Sequence, residues 1–129
     1  RKEFEGATPY GSPRGGHIPN AIHIHWPDFF QTNGNLKALP ALNSLLDQNG
    51  IRPNQEVIVY CTGGVRSAMA YFVFRYMGYK VRNYDGSWWD WSQSSFPIEV
   101  WKKSSNPNQQ IVTGDEKLAL RGGVDDRIY

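Results

Sequence analysis

The segment VIVYCTGGVRSAMAYFVFRY, residues 57 to 76, constrains the fold more than any other part of this 129-residue chain. Val57 to Tyr60 is apolar without alternation, which suits a strand covered on both faces, as in a parallel sheet. Gly63 and Gly64 then turn the chain, and the pattern predicts a helix from about Arg66 to Met77. Met69, Phe72, Val73, Tyr76 and Met77 mark one face, while Tyr71 and Phe74 make it apolar nearly all round. With only Arg66 and Arg75 charged, this helix is expected to be deeply buried. Gly78 ends it, and Lys80 to Tyr84 returns as a strand. Parallel strands joined through a helix need a crossover connection, so the class is α/β.

The flanking segments fit this frame. The first twenty residues carry Gly6, Pro9, Gly11, Pro13, Gly15, Gly16 and Pro19, which leave no room for a regular element. Ala21 to Trp26 (AIHIHW) alternates apolar and polar and predicts a short strand. Leu42, Leu45 and Leu46 recur at helical spacing between Pro40 and Asn49, with Pro40 in a first turn and Gly50 just past the end. Asp85-Gly86 turns the chain into SWWDWS, a short helix capped by Ser87. Residues 1–100 therefore read as one domain and 101–129 as a tail of different texture. In that tail Lys102 to Gln110 reads as a polar linker or surface excursion, Ile111-Val112 as a candidate edge strand and Asp115 to Leu120 as a candidate helical turn.

Charge and cysteine usage remove several classes of function. Fourteen Lys and Arg against twelve Asp and Glu leave a formal charge of +2, too small an excess to argue for nucleic acid. No stretch approaches the roughly 20 apolar residues of a membrane span, and no basic amphipathic segment reads as a membrane anchor. Cys61 is the single cysteine, which excludes an intrachain disulfide framework and a Cys-x-x-Cys zinc cluster. A lone activated thiol fits a reducing compartment, and the expected location is cytoplasmic.

Cys61 stands at the carboxyl end of the apolar strand and just before a helix, where ligands bind in open α/β sheets. The turn Thr62-Gly63-Gly64-Val65 lets successive backbone amides point inward as an anion-holding nest. The helix start adds its positive dipole end, and Arg66 adds a permanent charge with forked donors. Such settings depress a cysteine pKa from about 8.5 to between roughly 3.5 and 7.5. Thr62 and Ser67 offer hydroxyl donors beside them. The alternative is a buried core thiol in a tight strand-to-helix turn, since free cysteine is among the most buried residue types. Cysteine, paired glycines, arginine and helix start at this spacing favour a nucleophile.

These residues resemble the rhodanese-like sulfurtransferases. VIVYCTGGVRSA looks like that family's strand, cysteine loop and following helix, and GGHIPNAIHIHW like its Gly-His-Ile-Pro-x-Ala segment. EFEG (3 to 6) resembles an upstream Glu-Phe-x-Gly, and YDGSWWDWSQSSFPIE the close of the catalytic second domain of two-domain thiosulfate sulfurtransferases. The resemblance implies a three-layer α/β domain, with a central, mostly parallel sheet flanked by helices. It implies Cys61 as catalytic nucleophile and Thr62, Gly63, Gly64, Val65, Arg66 and Ser67 as the substrate-binding loop. It further implies a small anionic sulfur donor such as thiosulfate, a Cys61 persulfide, and cyanide or a thiol as acceptor, with no metal or organic cofactor.

Within the family, members acting on phosphate or arsenate carry one more loop residue. Six residues from Cys61 to Arg66 is the length associated with sulfur, and Tyr60 stands where the phosphatase pattern has histidine. A rhodanese-fold phosphatase or arsenate reductase is thus the first rival, and a sulfur-relay module that docks a partner is the second. CTGGVRS departs from the Cys-Gly-Ser-Gly loop of the mercaptopyruvate enzymes, and Glu3 stands where thiosulfate enzymes often have a basic residue. The family begins with an apolar strand ending in Asp-x-Arg. Arg1 resembles that final arginine, so a preceding segment, and with it a preceding rhodanese-like domain, is expected.

Three further features carry weaker signals. His23 and His25 would share one strand face, but only His17 stands beyond them, too few ligands for a metal. Of Trp88, Trp89 and Trp91, one or two read as core, and the alternative for a solvent-facing one is the pocket mouth or a partner domain; Asp85 reads as a turn residue close to the pocket. Asp125-Asp126 reads as a solvated pair.

Overall fold

A computed structural model of the chain describes residues 1–102, 111–114 and 127–128. Its centre is β1 (Glu56–Val59), in which Val57 and Val59 are fully buried. The following helix, α2 (Val65–Tyr76), carries the chain across to β2 (Lys80–Asn83), which lies parallel to β1 with Val57 opposite Val81. On the other edge of β1 lies β5 (Arg127–Ile128), also parallel, giving the order β2-β1-β5. β3 (Glu99–Lys102) and β4 (Ile111–Gly114) form a separate antiparallel pair, so Ile111-Val112 does add an edge strand. The expected helical turn at 115–120, most of the 102–110 linker and the Asp125-Asp126 pair lie outside the described residues.

The first helix, α1 (Leu39–Gln48), has Pro40 in its first turn and is followed by Gly50 at φ 74°, a left-handed conformation that suits glycine. Leu42 and Leu46 share one face of it and are fully buried. They join Phe29, Ile51, Val57, Val59, Val73, Phe74, Tyr79 and Val81 in one core. Phe74 is the hub, edge-on to both Phe29 and Tyr79. Helices packed on a parallel sheet around this core make the domain α/β, as expected. No helix among the described residues is long and apolar enough to cross a membrane.

Three local expectations are corrected. Ala21 to Trp26 forms no strand: residues 21–25 are irregular and Trp26–Phe29 is a 3-10 helix. Both edges of β1 are taken, by β2 and β5, and residues 21–25 pair with no strand among the described residues. Ile22 and Ile24 nevertheless keep their side chains against the core. Helix α2 is not buried all round either. Val73 and Phe74 face the core, while Phe72 is 66% exposed and Tyr76 57% exposed, because the sheet covers one side only. Finally, Ser87 does not cap the third helix, α3 (Ser87–Gln93); Gly86 precedes it without a side-chain cap, and the Ser87 hydroxyl turns inward.

Candidate active site

Cys61 stands two residues past the end of β1 and lines a cavity of about 200 Å3. Phe4, His17, Ile22, Ile24, Phe74 and Trp88 are among the other lining residues. The turn after the cysteine works because Gly64 adopts φ 94°, a left-handed conformation costly for any residue with a β-carbon. In that conformation the Gly64 amide donates to Cys61 Sγ at 3.1 Å. The Ser67 hydroxyl, fully buried, donates to the Gly64 carbonyl at 2.9 Å and also reaches the sulfur.

Burial alone pushes the Cys61 thiol up, because the charged form loses water. The amides of Ser67, Gly63 and Gly64 and the Ser67 hydroxyl outweigh that penalty and hold the thiol below its ordinary value. The glycine turn and the start of α2 thus favour the thiolate form without a neighbouring base.

Each remaining loop residue has a definite place. Gly63 lies under the Trp89 ring, and an added β-carbon would stand 3.0 Å from it. Val65 opens α2 with its side chain 83% exposed, so its contribution to the loop is backbone alone. Thr62 and Arg66 are turned toward a residue outside the loop. Both guanidinium nitrogens of Arg66 donate to the Glu3 carboxylate, each at 3.1 Å, in a bidentate pair. The Thr62 hydroxyl donates to the same carboxylate and accepts from Arg66. Burial pushes the Glu3 carboxyl up, but these two partners outweigh it and hold it below the usual range. The Tyr10 ring lies 5.9 Å from the Arg66 guanidinium carbon.

The segment after β2 braces the loop from behind. Cys61 donates its amide to the Ser87 hydroxyl at 3.2 Å, and that hydroxyl donates to the Tyr84 carbonyl at 2.9 Å. The amides of Trp88 and Trp89 donate to the carbonyls of Cys61 and Thr62, both at 3.0 Å. Ser87 is completely buried and sits at φ 51°, a left-handed conformation rare for serine. Of the three tryptophans, Trp88 is buried and Trp89 is half-exposed over Gly63, while the Trp91 indole donates to the Pro97 carbonyl. Asp85 lies against Gly64 with both its backbone carbonyl and a carboxylate oxygen, and it is not among the cavity's lining residues.

The loop is legible in the sequence, and a solvent-facing tryptophan at the pocket mouth is among its alternatives, but the brace by Ser87 and the partner role of Glu3 are not legible there. Ser87 is marked only by its backbone conformation, which no local pattern announces. Of the histidines, His17 is buried, stacks on Phe4 at 3.6 Å and donates Nδ1–H to the Phe4 carbonyl at 2.8 Å. Burial pushes His23 down to about 4, so it stands neutral at the cavity wall.

The fold and loop define a class: α/β domains with a cysteine held in an amide nest past the carboxyl end of a parallel strand. Comparison with known proteins is more specific. The model of the rhodanese-like domain matches residues 2–94, and the chain belongs to that family. It is 39% identical to a thiosulfate sulfurtransferase of Corynebacterium glutamicum, over 81% of this chain and 37% of that protein. It is 40% identical to the sulfur carrier protein TtuD of Thermus thermophilus, over 63% of this chain and 29% of that protein. Among solved structures, a probable thiosulfate sulfurtransferase matches with TM-score 0.53 and 38% identity, over 75% of this chain and 38% of that one. A persulfide-bearing variant of EanB, in a tetrahedral intermediate state with ergothioneine, matches with TM-score 0.67 and 26% identity, over 76% of this chain and 26% of that one. The chain spans about a third of the length of the curated relatives it matches.

Proposed function

We propose that this domain is a sulfurtransferase that carries sulfane sulfur on Cys61. The observation that carries this reading is the Cys61 sulfur itself, ringed by the loop amides at the cavity wall. The thiolate attacks the outer sulfur of a donor of the thiosulfate type; the donor's S–S bond breaks, sulfite leaves, and a persulfide remains. A nucleophilic acceptor, cyanide or a thiol, then attacks the terminal sulfur and the Cys61 thiolate departs. In both steps the negative charge on Sγ is met by the amides of Gly63, Gly64 and Ser67, already in place before reaction. The names of the relatives support the same activity.

The six-residue span from Cys61 to Arg66 supports sulfur over a tetrahedral oxyanion, and Arg66, engaged by Glu3, is poorly placed to grip a phosphate. A relay role gains support from the exposed Val65, Phe72 and Tyr76 along α2, a surface suited to a partner protein. The test is thiocyanate formation from thiosulfate and cyanide, measured beside aryl phosphate hydrolysis. The reading expects thiocyanate and no phosphatase activity. Phosphate release without thiocyanate would reverse it, and sulfur transfer only to a protein acceptor would favour the relay.

A further inference from the structure

Glu3 occupies the donors that a small anion would need. The Arg66 guanidinium and the Thr62 hydroxyl both face its carboxylate, which pairs with Arg66 through both oxygens. The other cation at the cavity, Arg1, donates to Glu5 at 2.7 Å. Arg66 is paired with Glu3 and the Arg1 guanidinium with Glu5, so neither guanidinium is left over to compensate a thiolate at Cys61. His17 and His23, both held neutral, add nothing. A dianion approaching this site meets no net attraction and a like charge at its target. A zwitterion meets something different. Its ammonium can take Glu3 while its carboxylate takes the Arg66 fork so released, an exchange of ion pairs that a dianion cannot offer, and the apolar wall of Phe4, Ile22 and Ile24 accepts a short hydrocarbon stem.

Resting on the sulfurtransferase reading, we infer that Glu3 is a charge-selecting residue that disfavours dianionic thiosulfate and admits a zwitterionic amino-acid persulfide as the sulfur donor. The step balances without any further reactant. Cys61 thiolate bonds to the terminal sulfur of R–S–SH, the donor's S–S bond breaks, R–S⁻ leaves, and Cys61 becomes Cys–S–SH. The transferred sulfur keeps its proton, and one negative charge stands on each side.

Intact-mass measurement of sulfur loading tests this, with thiosulfate and cysteine persulfide as separate donors, in the wild-type protein and in Glu3→Gln. The wild type is expected to load faster from cysteine persulfide than from thiosulfate at equal concentration. Glu3→Gln removes the charge that neutralises Arg66 and is expected to speed thiosulfate loading about tenfold, the scale of one partly screened charge contact. It is expected to slow loading from cysteine persulfide. A second measurement needs no variant: added inert salt is expected not to slow thiosulfate loading of the wild type, whereas a cationic site would be slowed. Loading rates that Glu3→Gln leaves unchanged, or moves equally for both donors, would overturn the selection, as would a steep fall of wild-type thiosulfate loading with salt. Loading from neither donor would overturn the sulfurtransferase reading along with it.

Discussion

Replacing Gly64 with alanine puts a methyl group 2.8 Å from the Asp85 carbonyl oxygen, at a position whose φ is 94°. The left-handed backbone alone costs roughly 1–2 kcal/mol for alanine. Relief by moving Asp85 is opposed on its N-terminal side, where the Tyr84 amide is tied to the Val59 carbonyl at 2.9 Å. The loop itself is what gives way, and with it the Gly64 amide leaves Sγ, now 3.1 Å away. A hydrogen bond to a charged group is worth about 1.5–3 kcal/mol, and 1.36 kcal/mol corresponds to one pKa unit, so the Cys61 pKa should rise by about 1–2 units. Gly63→Ala is the matched control. Its added methyl meets only the ring of half-exposed Trp89 at 3.0 Å, and no positive φ is at stake. Titrating the thiolate by its ultraviolet absorbance reads both variants directly. The account expects a large upward shift for Gly64→Ala and a small one for Gly63→Ala. Equal shifts, or an unmoved titration in Gly64→Ala, would refute the reasoning that the Gly64 amide stabilises the thiolate.

Two further outcomes follow from the same geometry. Because the reactive form is the deprotonated one and the Cys61 pKa is lowered, the rate of sulfur loading should rise with pH through that lowered value and then level off; Ser67→Ala removes a hydroxyl that lowers the thiol's pKa and ties down the Gly64 carbonyl, and should move the rising limb to higher pH, read from initial rates across a pH series. Ser87→Ala leaves the Cys61 amide without its acceptor and should lower stability by about 1–3 kcal/mol in denaturant unfolding, the cost of an orphaned buried donor; an unchanged midpoint would show that the brace is dispensable.

Much of this was legible in the sequence because it depends on local chemistry. VIVY, the paired glycines and the periodic apolar residues after them set strand, turn and helix, and therefore the place of Cys61 at the sheet's carboxyl end. What was not legible depends on contacts between distant segments. AIHIHW alternates as a strand should, yet finds no free edge on β1. Helix α2 reads as apolar all round, but composition does not reveal that the sheet covers only one of its sides. Arg66 looks like a substrate ligand until Glu3, sixty-three residues away in the chain, is found beside it. Ser87 looks like a helix cap, and its hydroxyl instead accepts the Cys61 amide, twenty-six residues away.

The central claim is that Cys61 itself carries the sulfur. Intact mass after incubation to completion with thiosulfate and, separately, with cysteine persulfide tests it most directly, beside Cys61→Ser under the same conditions. The account predicts a gain of one sulfur atom, reversed by cyanide and absent in the variant. A protein whose mass stays unchanged with both donors, or a Cys61→Ser variant that gains sulfur as the wild type does, would contradict it.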